Sequence, residues 1–594
     1  MKFPYGLADF HKIITGGYHY LDRTERLRFV EEVGEVLLFL RPRRFGKSMW
    51  LSTLENYYDV NKAGEFERLF GHLAIGQNPT PLHNQYLILR WDFSGVAPHG
   101  SIEDIKHALH NHINGAIEQF TGQYPTLKHK ITRHPTDSMR SFQSLLAAVQ
   151  RSPHKLYLLI DEYDNFANAV LMSHRFEGEE DYKTLVFGEG ILRAIFRVVK
   201  SAHGGLGLDR VFITGVSPVV MSDITSAFNI AKNIYLLPEM HDLCGFWEHE
   251  VEAMLTQVAA ACDYPPEKAA EALDTMRTFY NGYLFSPGAE GLLYNPTLVF
   301  YFLEHFQAYC EHPHRILDDN LSTDAARLTF IAQRPLGIGL ILEALQEDQP
   351  VTVFDLATRF GVVDMLTPRR DAAFLASLLY YLGVLTFAGE TIFGELILRI
   401  PNLVVRGLYL ERLLESWLPP EPDLEAARNA ARALYQRGDL TPVCDFIERY
   451  YFPVLDNRDY RTADELTLKV TFLTILFNDT FYIAESETEL ERTFADLTLI
   501  LRPQMRKFQL SDLLIEFKFV KLGAAGLTGA QARALPRAEA AALDVVQTQM
   551  EAARTQAREN GARLAARHGA KLRLRAFAVI SLGFERLVWE EIAL

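Results

Sequence analysis

One segment constrains this chain more than any other. Val36-Leu-Leu-Phe-Leu-Arg-Pro-Arg-Arg-Phe-Gly-Lys-Ser48 runs from five apolar residues through a basic loop into a helical pattern. The pattern GxxxxGK[ST] sets a glycine-bearing loop between a buried strand and a helix, where backbone N–H groups and the helix dipole attract an anion. Gly46, Lys47 and Ser48 match it, while Arg41 stands at the first glycine position. Lys47 is expected to reach the β- and γ-phosphates of ATP, and Ser48 to offer its hydroxyl to Mg2+. Arg43, Arg44 and Phe45 complete the nucleotide-binding loop. The two arginines could equally be solvated loop charges. A strand-to-helix turn that merely contains GKS is the plainer reading of the segment, so a second element matters.

That element is Leu156-Tyr-Leu-Leu-Ile-Asp-Glu162, an apolar run ending in two carboxylates. Asp161 is expected to hold Mg2+ through water, and Glu162 to polarise the attacking water. Two carboxylates at a strand end could also cap a following helix. Their order and separation from the loop favour nucleotide binding. Val211-Phe-Ile-Thr-Gly-Val-Ser217 ends a further apolar run with Thr214 and Ser217, and Thr214 is the candidate γ-phosphate contact. Arg193, Arg197 and Arg210 are candidates for an arginine finger, with nothing to choose among them.

The runs 36–40, 86–89, 156–160 and 211–214 are short and nearly all apolar. Such runs suit strands buried on both faces of a parallel sheet, joined by crossover helices. Residues 1–240 therefore predict an α/β P-loop domain. Residues 241–420 show helical spacing at 246–260 and 372–382 and predict a mostly helical middle domain. Leu418-Pro-Pro-Glu-Pro422 predicts a linker. Residues 421–594 open with helices and then offer strands at 493–501, 513–520 and 573–581, with a long helix at 538–568. A length of 594 residues by itself suggests two to four domains.

Composition narrows the partners. The net charge of −15 excludes attraction of the whole molecule to nucleic acid. A local surface remains open: Lys521–Arg575 holds ten Lys/Arg against four Asp/Glu, either a phosphate-binding patch or an ordinary charged helix face. The four cysteines, Cys244, Cys262, Cys310 and Cys444, are far apart and form no CxxC pair. They predict neither a disulfide framework nor a zinc site, and a cytoplasmic setting. No run of 18 apolar residues predicts a membrane span, and no leader is expected at the N-terminus. His107, His110 and His112 are expected on a solvated helix.

Several short stretches together resemble a bacterial family of AAA-ATPase-like proteins. They are Phe3-Pro-Tyr-Gly6, Tyr18-His-Tyr-Leu-Asp-Arg-Thr24, Leu40-Arg-Pro-Arg-Arg-Phe-Gly-Lys-Ser48, Leu159-Ile-Asp-Glu-Tyr-Asp164, Ser226-Ala-Phe-Asn-Ile-Ala-Lys-Asn233, Tyr280-Asn-Gly-Tyr283 and Tyr294-Asn-Pro296. The resemblance implies that arginine at position 41 is a family feature. It also implies a C-terminal nuclease domain of the PD-(D/E)XK superfamily, with a restriction-endonuclease-like α/β fold, and a role in defence or mobile-element control.

The C-terminal residues fit that expectation. Leu513-Leu-Ile-Glu-Phe-Lys-Phe-Val520 is an apolar strand interrupted by Glu516 and Lys518, whose spacing of two sets both on one face. Charges inside such a strand are costly unless paired, exposed or bound to metal. An edge strand with one wet face is the alternative. Asp496 lies at the start of the preceding strand, so Asp, then Glu-x-Lys, gives two carboxylates for Mg2+ and a lysine for the attacking water or the pentavalent phosphate. Glu465 resembles the helix carboxylate of such nucleases, although a solvated glutamate would look the same. Gln549 resembles their helix glutamine, but Ala553 stands where a tyrosine would follow. Glu485 is a further acidic candidate. The expected function is ATP binding and hydrolysis coupled to Mg2+-dependent cleavage of nucleic acid, DNA rather than RNA. A homo-oligomer is expected, because in such ATPases a neighbour supplies the arginine finger. The alternative is a nucleotide-switched scaffold with an inactive nuclease fold.

Overall fold

The structure is a computed structural model that describes residues 1–96, 102–165, 191–203, 205–218, 229–316, 337–345, 350–357, 372–417, 424–456, 465–490 and 493–594. The expected linker at 418–422 and the first residues of the 226–233 stretch lie outside the described residues. By packing, the chain forms two compact units. One comprises Met1–Ala269, Asn281–Glu311 and Thr352–Leu398, and the other Ala270–Tyr280, His312–Val351 and Arg399–Leu594.

The first unit is built on a five-stranded parallel sheet. Its strands are β1 (Val36–Leu40), β2 (Tyr86–Asp92), β3 (Lys155–Asp161), β4 (Leu208–Gly215) and the two-residue β5 (Lys232–Asn233), in the order β2-β3-β4-β1-β5. All five residues of β1 are buried, as expected for a strand covered on both faces. The register pairs Leu40 with Gly215 and Ile160 with Ile213. The C-terminal ends of β1, β3 and β4 therefore meet at one edge of the sheet, the edge where open α/β sheets bind ligands. The helix Lys47–Tyr58 leaves β1 at that edge and packs against β2, β3 and β4.

The middle of the chain holds more strand than its sequence suggested. Val351–Val353 (β6), Thr386–Glu390 (β7) and Leu396–Arg399 (β8) form a three-stranded sheet in the order β6-β8-β7. Helices Glu248–Ala261 and Pro296–Tyr309 also pack together. Their C-terminal caps are Cys262 and Cys310, which form a disulfide with Cα atoms 5.6 Å apart. This corrects the expectation of no disulfide. Packing of two helix ends joins cysteines 48 residues apart, which spacing alone could not reveal.

The second unit carries a mixed sheet of Tyr482–Leu490 (β9), Thr493–Leu501 (β10), Asp512–Val520 (β11), Leu574–Leu582 (β12) and Arg586–Ile592 (β13), ordered β13-β12-β11-β10-β9. Only the β11–β12 pair is parallel. β11 is thus the central strand, which removes the edge-strand reading of Glu516 and Lys518. The expected helix at 538–568 is broken into Arg537–Ala541 and Asp544–His568. The second piece covers one face of β11 and β12, packing Val546, Met550, Ala553 and Leu564 with Leu514, Ala578 and Ile580. Helix Glu465–Leu476 packs on the other side, with Phe472 on Phe517 at 4.9 Å.

Candidate functional site

The phosphate loop is held from below by the residues that depart from the common pattern. Arg41 is 2 % exposed. Its guanidinium donates to the carbonyls of Leu40 (2.9 Å), Tyr235 (2.8 Å) and Met240 (2.8 Å), with a longer contact to His241 (3.4 Å). It lies against the rings of Phe39 and Phe285. Burial with no carboxylate partner in these contacts pulls its pKa down to about 10. Arg41 therefore replaces the first glycine as a structural bolt. The left-handed backbone that a glycine there could have served occurs instead at Arg44 (φ 67°) and Gly46 (φ 100°). Phe45 is buried edge-on against Tyr283 and Phe285, so its side chain anchors the loop. Arg43 donates to Asn165.

Helix Lys47–Tyr58 starts at Gly46 with no side-chain cap and no acidic residue in its first turn. Its first N–H groups and its dipole are thus left for an anion. A Cβ on Gly46 would meet nothing within 4 Å, so space lies open there. Lys47 is buried and folds back onto the Pro42 carbonyl at 3.0 Å. Burial lowers its pKa, opposed by Glu162, Asp161 and Asp164. Among the described residues the Ser48 hydroxyl has no hydrogen-bond partner.

The two carboxylates stand at the same sheet edge. Asp161 is buried, and its oxygens accept from Thr214 Oγ1 at 2.6 Å and Arg90 Nη2 at 3.0 Å. Arg90 also faces Glu55 on the loop's helix at 3.6 Å. Glu162 takes a left-handed φ of 48°, a strained conformation for a glutamate. Burial raises its pKa, opposed by Lys47 and Arg43. Neither carboxylate caps a helix in these contacts. Asp164 is the clamp of the segment: it accepts from the N–H groups of Val216 and Ser217 and from the Ser217 hydroxyl. Ser217 is therefore structural, whereas Thr214 touches Asp161. For Mg2+ the donors fit in kind: a Ser48 hydroxyl without a hydrogen-bond partner among the described residues and the Asp161 carboxyl oxygens, which could accept from a metal-bound water. Arg210, at the start of β4, is tied to the carbonyls of Gly34 and Glu31, which removes it from the arginine-finger candidates. Arg197 is exposed on helix Ile191–His203. A cavity of about 320 Å³ opens beside Gly46, Lys47, Ser48 and Glu162.

A second polar cluster lies in the other unit. Glu516 is fully buried under helix Asp544–His568. Its Oε1 accepts from Asn560 Nδ2 at 2.7 Å, and its carboxyl is hydrogen-bonded to that of Asp496. Burial and the adjacent Asp496 push its pKa up to about 8. Asp496 accepts from the Phe517 N–H at 2.8 Å and lies 3.4 Å from Lys469 Nζ. Lys518 Nζ is 3.7 Å from Glu465 and 3.9 Å from Asp496, and donates to the Phe517 carbonyl. Burial raises the pKa of Glu465, with Lys518 opposing. Two buried carboxyl groups joined by a hydrogen bond are a place where a cation could replace the shared proton. Among the described residues no group of three or more His, Cys, Asp or Glu is arranged to hold a metal, so a cation here would draw two protein carboxylates.

Sequence reasoning missed Lys469 and Asn560. Lys469 was visible as the one basic residue in the apolar helix Glu465–Leu476. Asn560-Gly561 was visible as two weak helix formers inside a long Ala-rich helix. Gln549, eleven residues earlier on that helix, makes no hydrogen bond within the described residues. Glu485 sits on the edge strand β9, in register with Thr498.

The basic stretch 521–575 is largely spent on internal pairs. Arg554 pairs with Glu590 and Glu551, Arg575 with Glu591, and Lys571 with Glu271. Arg573 donates to the carbonyls of Arg506 and Phe508. Arg558 and Arg567 stay exposed. The histidine expectation holds only for His107. Burial lowers the pKa of His110 and His112, and His110 bonds Ser138. Among the described residues no helix is long and apolar enough to cross a membrane.

Residues 4–225 match the AAA-ATPase-like family, described as predicted AAA-ATPase. The chain is 26 % identical over 428 residues to the uncharacterized protein in vnfD 5' region of Azotobacter chroococcum mcd 1, covering 70 % of this chain and 71 % of that protein. Among solved structures, the Walker-type ATPase paby2304 of Pyrococcus abyssi is 13 % identical, covering 66 % of this chain and 96 % of that one, with a TM-score of 0.37. Cdc6p of Pyrobaculum aerophilum is 11 % identical, covering 68 % and 98 %, with a TM-score of 0.27. The ORC2 protein of Aeropyrum pernix is 13 % identical, covering 68 % and 98 %, with a TM-score of 0.31. By that family match, residues 4–225 carry an AAA-ATPase-like, nucleotide-binding P-loop domain.

Proposed function

We propose that this chain binds and hydrolyses ATP with Mg2+ at the phosphate loop, and that residues 421–594 form a PD-(D/E)XK nuclease domain whose cleavage of DNA depends on that nucleotide. In this reading residues 1–240 are the ATPase and 241–420 the intervening domain. The observation that carries the ATPase is the uncapped helix start at Gly46, with buried Lys47, opposite Asp161 and Glu162 at aligned strand ends. The helix N–H groups and Lys47 hold the phosphates, Ser48 and Asp161 hold the metal, Thr214 orients Asp161, and Glu162 accepts the proton of the attacking water.

The nuclease reading is supported by the meeting of Glu465, Asp496, Glu516 and Lys518 in one cluster and by the hydrogen-bonded carboxyl pair of Asp496 and Glu516. Asp496 and Glu516 would hold Mg2+ and Lys518 would face the scissile phosphate. A cytoplasmic homo-oligomer acting in defence or mobile-element control completes the reading. The scaffold alternative draws on the pairing of Arg554, Arg573 and Arg575, which leaves little free basic surface. Glu162→Gln should keep ATP binding and lose turnover; undiminished hydrolysis would remove Glu162 from its role. Asp496→Ala and Lys518→Ala should each abolish Mg2+-dependent DNA cleavage, assayed on DNA and RNA with and without ATP. Persisting cleavage would refute the site, and a wild type that cleaves nothing would favour the scaffold.

A further inference from the structure

The phosphate loop is fastened from a distant part of the chain. Thr297 Oγ1 donates to the Arg44 carbonyl at 2.9 Å, across 253 residues of sequence. The acceptor sits on a residue of unusual backbone. Arg44 takes a left-handed φ of 67° and Gly46 one of 100°, while Phe45 between them does not. Alternation of this kind turns successive N–H groups toward one concave side, where an anion is held. Glycine enters the left-handed region freely, but an arginine does so against its own Cβ. The conformation that gathers the N–H groups is therefore one that Arg44 leaves unless contacts hold it. Arg43 and Phe45, on either side, are held by their side chains, on Asn165 and in the slot of Tyr283 and Phe285. Thr297 takes hold of the backbone at Arg44 itself.

The holding residue is fixed in its turn. Thr297 lies in the first turn of helix Pro296–Tyr309. The Asn295 side chain caps that turn, accepting from the N–H groups of Thr297 at 3.0 Å and Leu298 at 3.3 Å. Pro296 at the helix start presets its own φ. Tyr294 exchanges backbone hydrogen bonds with Phe246, at 2.8 and 3.2 Å. Leu293 to Pro296 are all buried. The hydroxyl thus meets Arg44 from a rigid base. The stretch Tyr294-Asn-Pro296, which the nucleotide reading leaves without a role, builds that base.

We propose that Thr297 is a positioning residue for phosphate binding: its hydroxyl holds Arg44 in the left-handed conformation and so keeps the N–H groups of the loop turned toward the phosphates. The inference rests on the nucleotide reading of the loop. Thr297 acts through the Arg44 carbonyl and needs no contact with the nucleotide. Loss of one neutral hydrogen bond shifts such a loop equilibrium about three- to tenfold, and apparent affinity falls with the population of the competent loop.

The test uses the full chain with Thr297→Val, which keeps the side-chain shape and removes the donor, and Thr297→Ser, which keeps the donor. Calorimetry measures binding of ATP and of inorganic tripolyphosphate. Trypsin cleavage after Arg43 or Arg44, without ligand, is timed by fragment mass. Thr297→Val should bind both ligands about three- to tenfold more weakly, because the phosphates are what the loop misplaces. Its loop should be cut at least about threefold faster, since cleavage follows the open population. Thr297→Ser should match wild type in both measurements. If Thr297→Val melts below wild type, Thr297→Ala, with no branched side chain to misfit, carries the same comparison. Unchanged tripolyphosphate affinity in the variant without the donor, or a serine variant equally weak, would overturn the role of the hydroxyl while leaving the phosphate site standing. Weaker binding with unaltered cleavage would overturn the hold on Arg44. Failure of wild type to bind either ligand would overturn the nucleotide reading and this inference with it.

Discussion

Restoring glycine at position 41 would make the phosphate loop look more conventional, and the structure predicts that it would damage the protein. Arg41 makes three short hydrogen bonds to carbonyls, at 2.8–2.9 Å, and one at 3.4 Å, from a nearly inaccessible position. Hydrogen bonds from a charged donor contribute about 1.5–3 kcal/mol each, so the three short ones give roughly 5–9 kcal/mol gross. Desolvating the guanidinium opposes this, which is why its pKa falls to about 10. A net loss on the order of 4 kcal/mol for Arg41→Gly follows, through carbonyls left unpaired and a cavity between Phe39 and Phe285. At about 2–4 °C per kcal/mol for a domain of some 200 residues, that is a fall of about 10 °C in the melting temperature. Thermal and urea unfolding of the full chain would measure it, with Arg41→Met separating lost volume from lost donors; Met should recover only part of the deficit. Arg41→Gly that unfolds within 1 kcal/mol of wild type, or that binds ATP more tightly, would refute the structural role.

Three further outcomes follow from buried groups. His241 accepts from the Phe285 N–H at Nδ1 and donates from Nε2 to the Gly291 carbonyl, so its neutral form is fixed; burial, then the neighbouring Arg41, lower its pKa from 6.5 to about 4. A lowered histidine contributes stability that is present above pH 6.5 and lost as pH falls through 4, here about 3 kcal/mol at most; urea midpoints should fall across that window in wild type and less in His241→Gln, and an equal fall in both would contradict the assignment. Reduction of Cys262–Cys310, which closes a loop of 48 residues, should remove about 2–4 kcal/mol; the double serine variant should melt like reduced wild type, and a melting point insensitive to reductant would argue that the bridge is absent in solution. Lys469→Met should cost about 3 kcal/mol by stranding Asp496, and Asp496→Asn should restore part of that; additive losses in the double variant would show that the pair is not coupled.

The parts of the fold that were legible are those where local sequence and burial agree. β1 reads as five consecutive apolar residues because both of its faces are covered, and β10 is bounded as its pattern suggested. β9 (Tyr-Ile-Ala-Glu-Ser-Glu-Thr-Glu-Leu) and β13 (Arg-Leu-Val-Trp-Glu-Glu-Ile) escaped notice because edge strands need only one partner and tolerate charge. Loop and carboxylate motifs were visible because phosphate and metal chemistry fixes their local spacing. The fastening of Arg41 was not, since its acceptors Tyr235, Met240 and His241 lie about two hundred residues away. Asn560 and Lys469 were hidden for the same reason: each reaches Glu516 or Asp496 only through packing of separate helices onto β10 and β11.

The most direct test of the account is equilibrium binding of ATP to the full chain and to Lys47→Ala, by calorimetry in the presence of Mg2+. Lys47 is buried with its ammonium on the Pro42 carbonyl; its removal takes away the cation that meets the phosphates, and a melting curve of the variant checks that the fold survives. The account predicts saturable, one-to-one binding by wild type and a loss of about a hundredfold or more in the variant. ATP binding of equal strength in both proteins would contradict it.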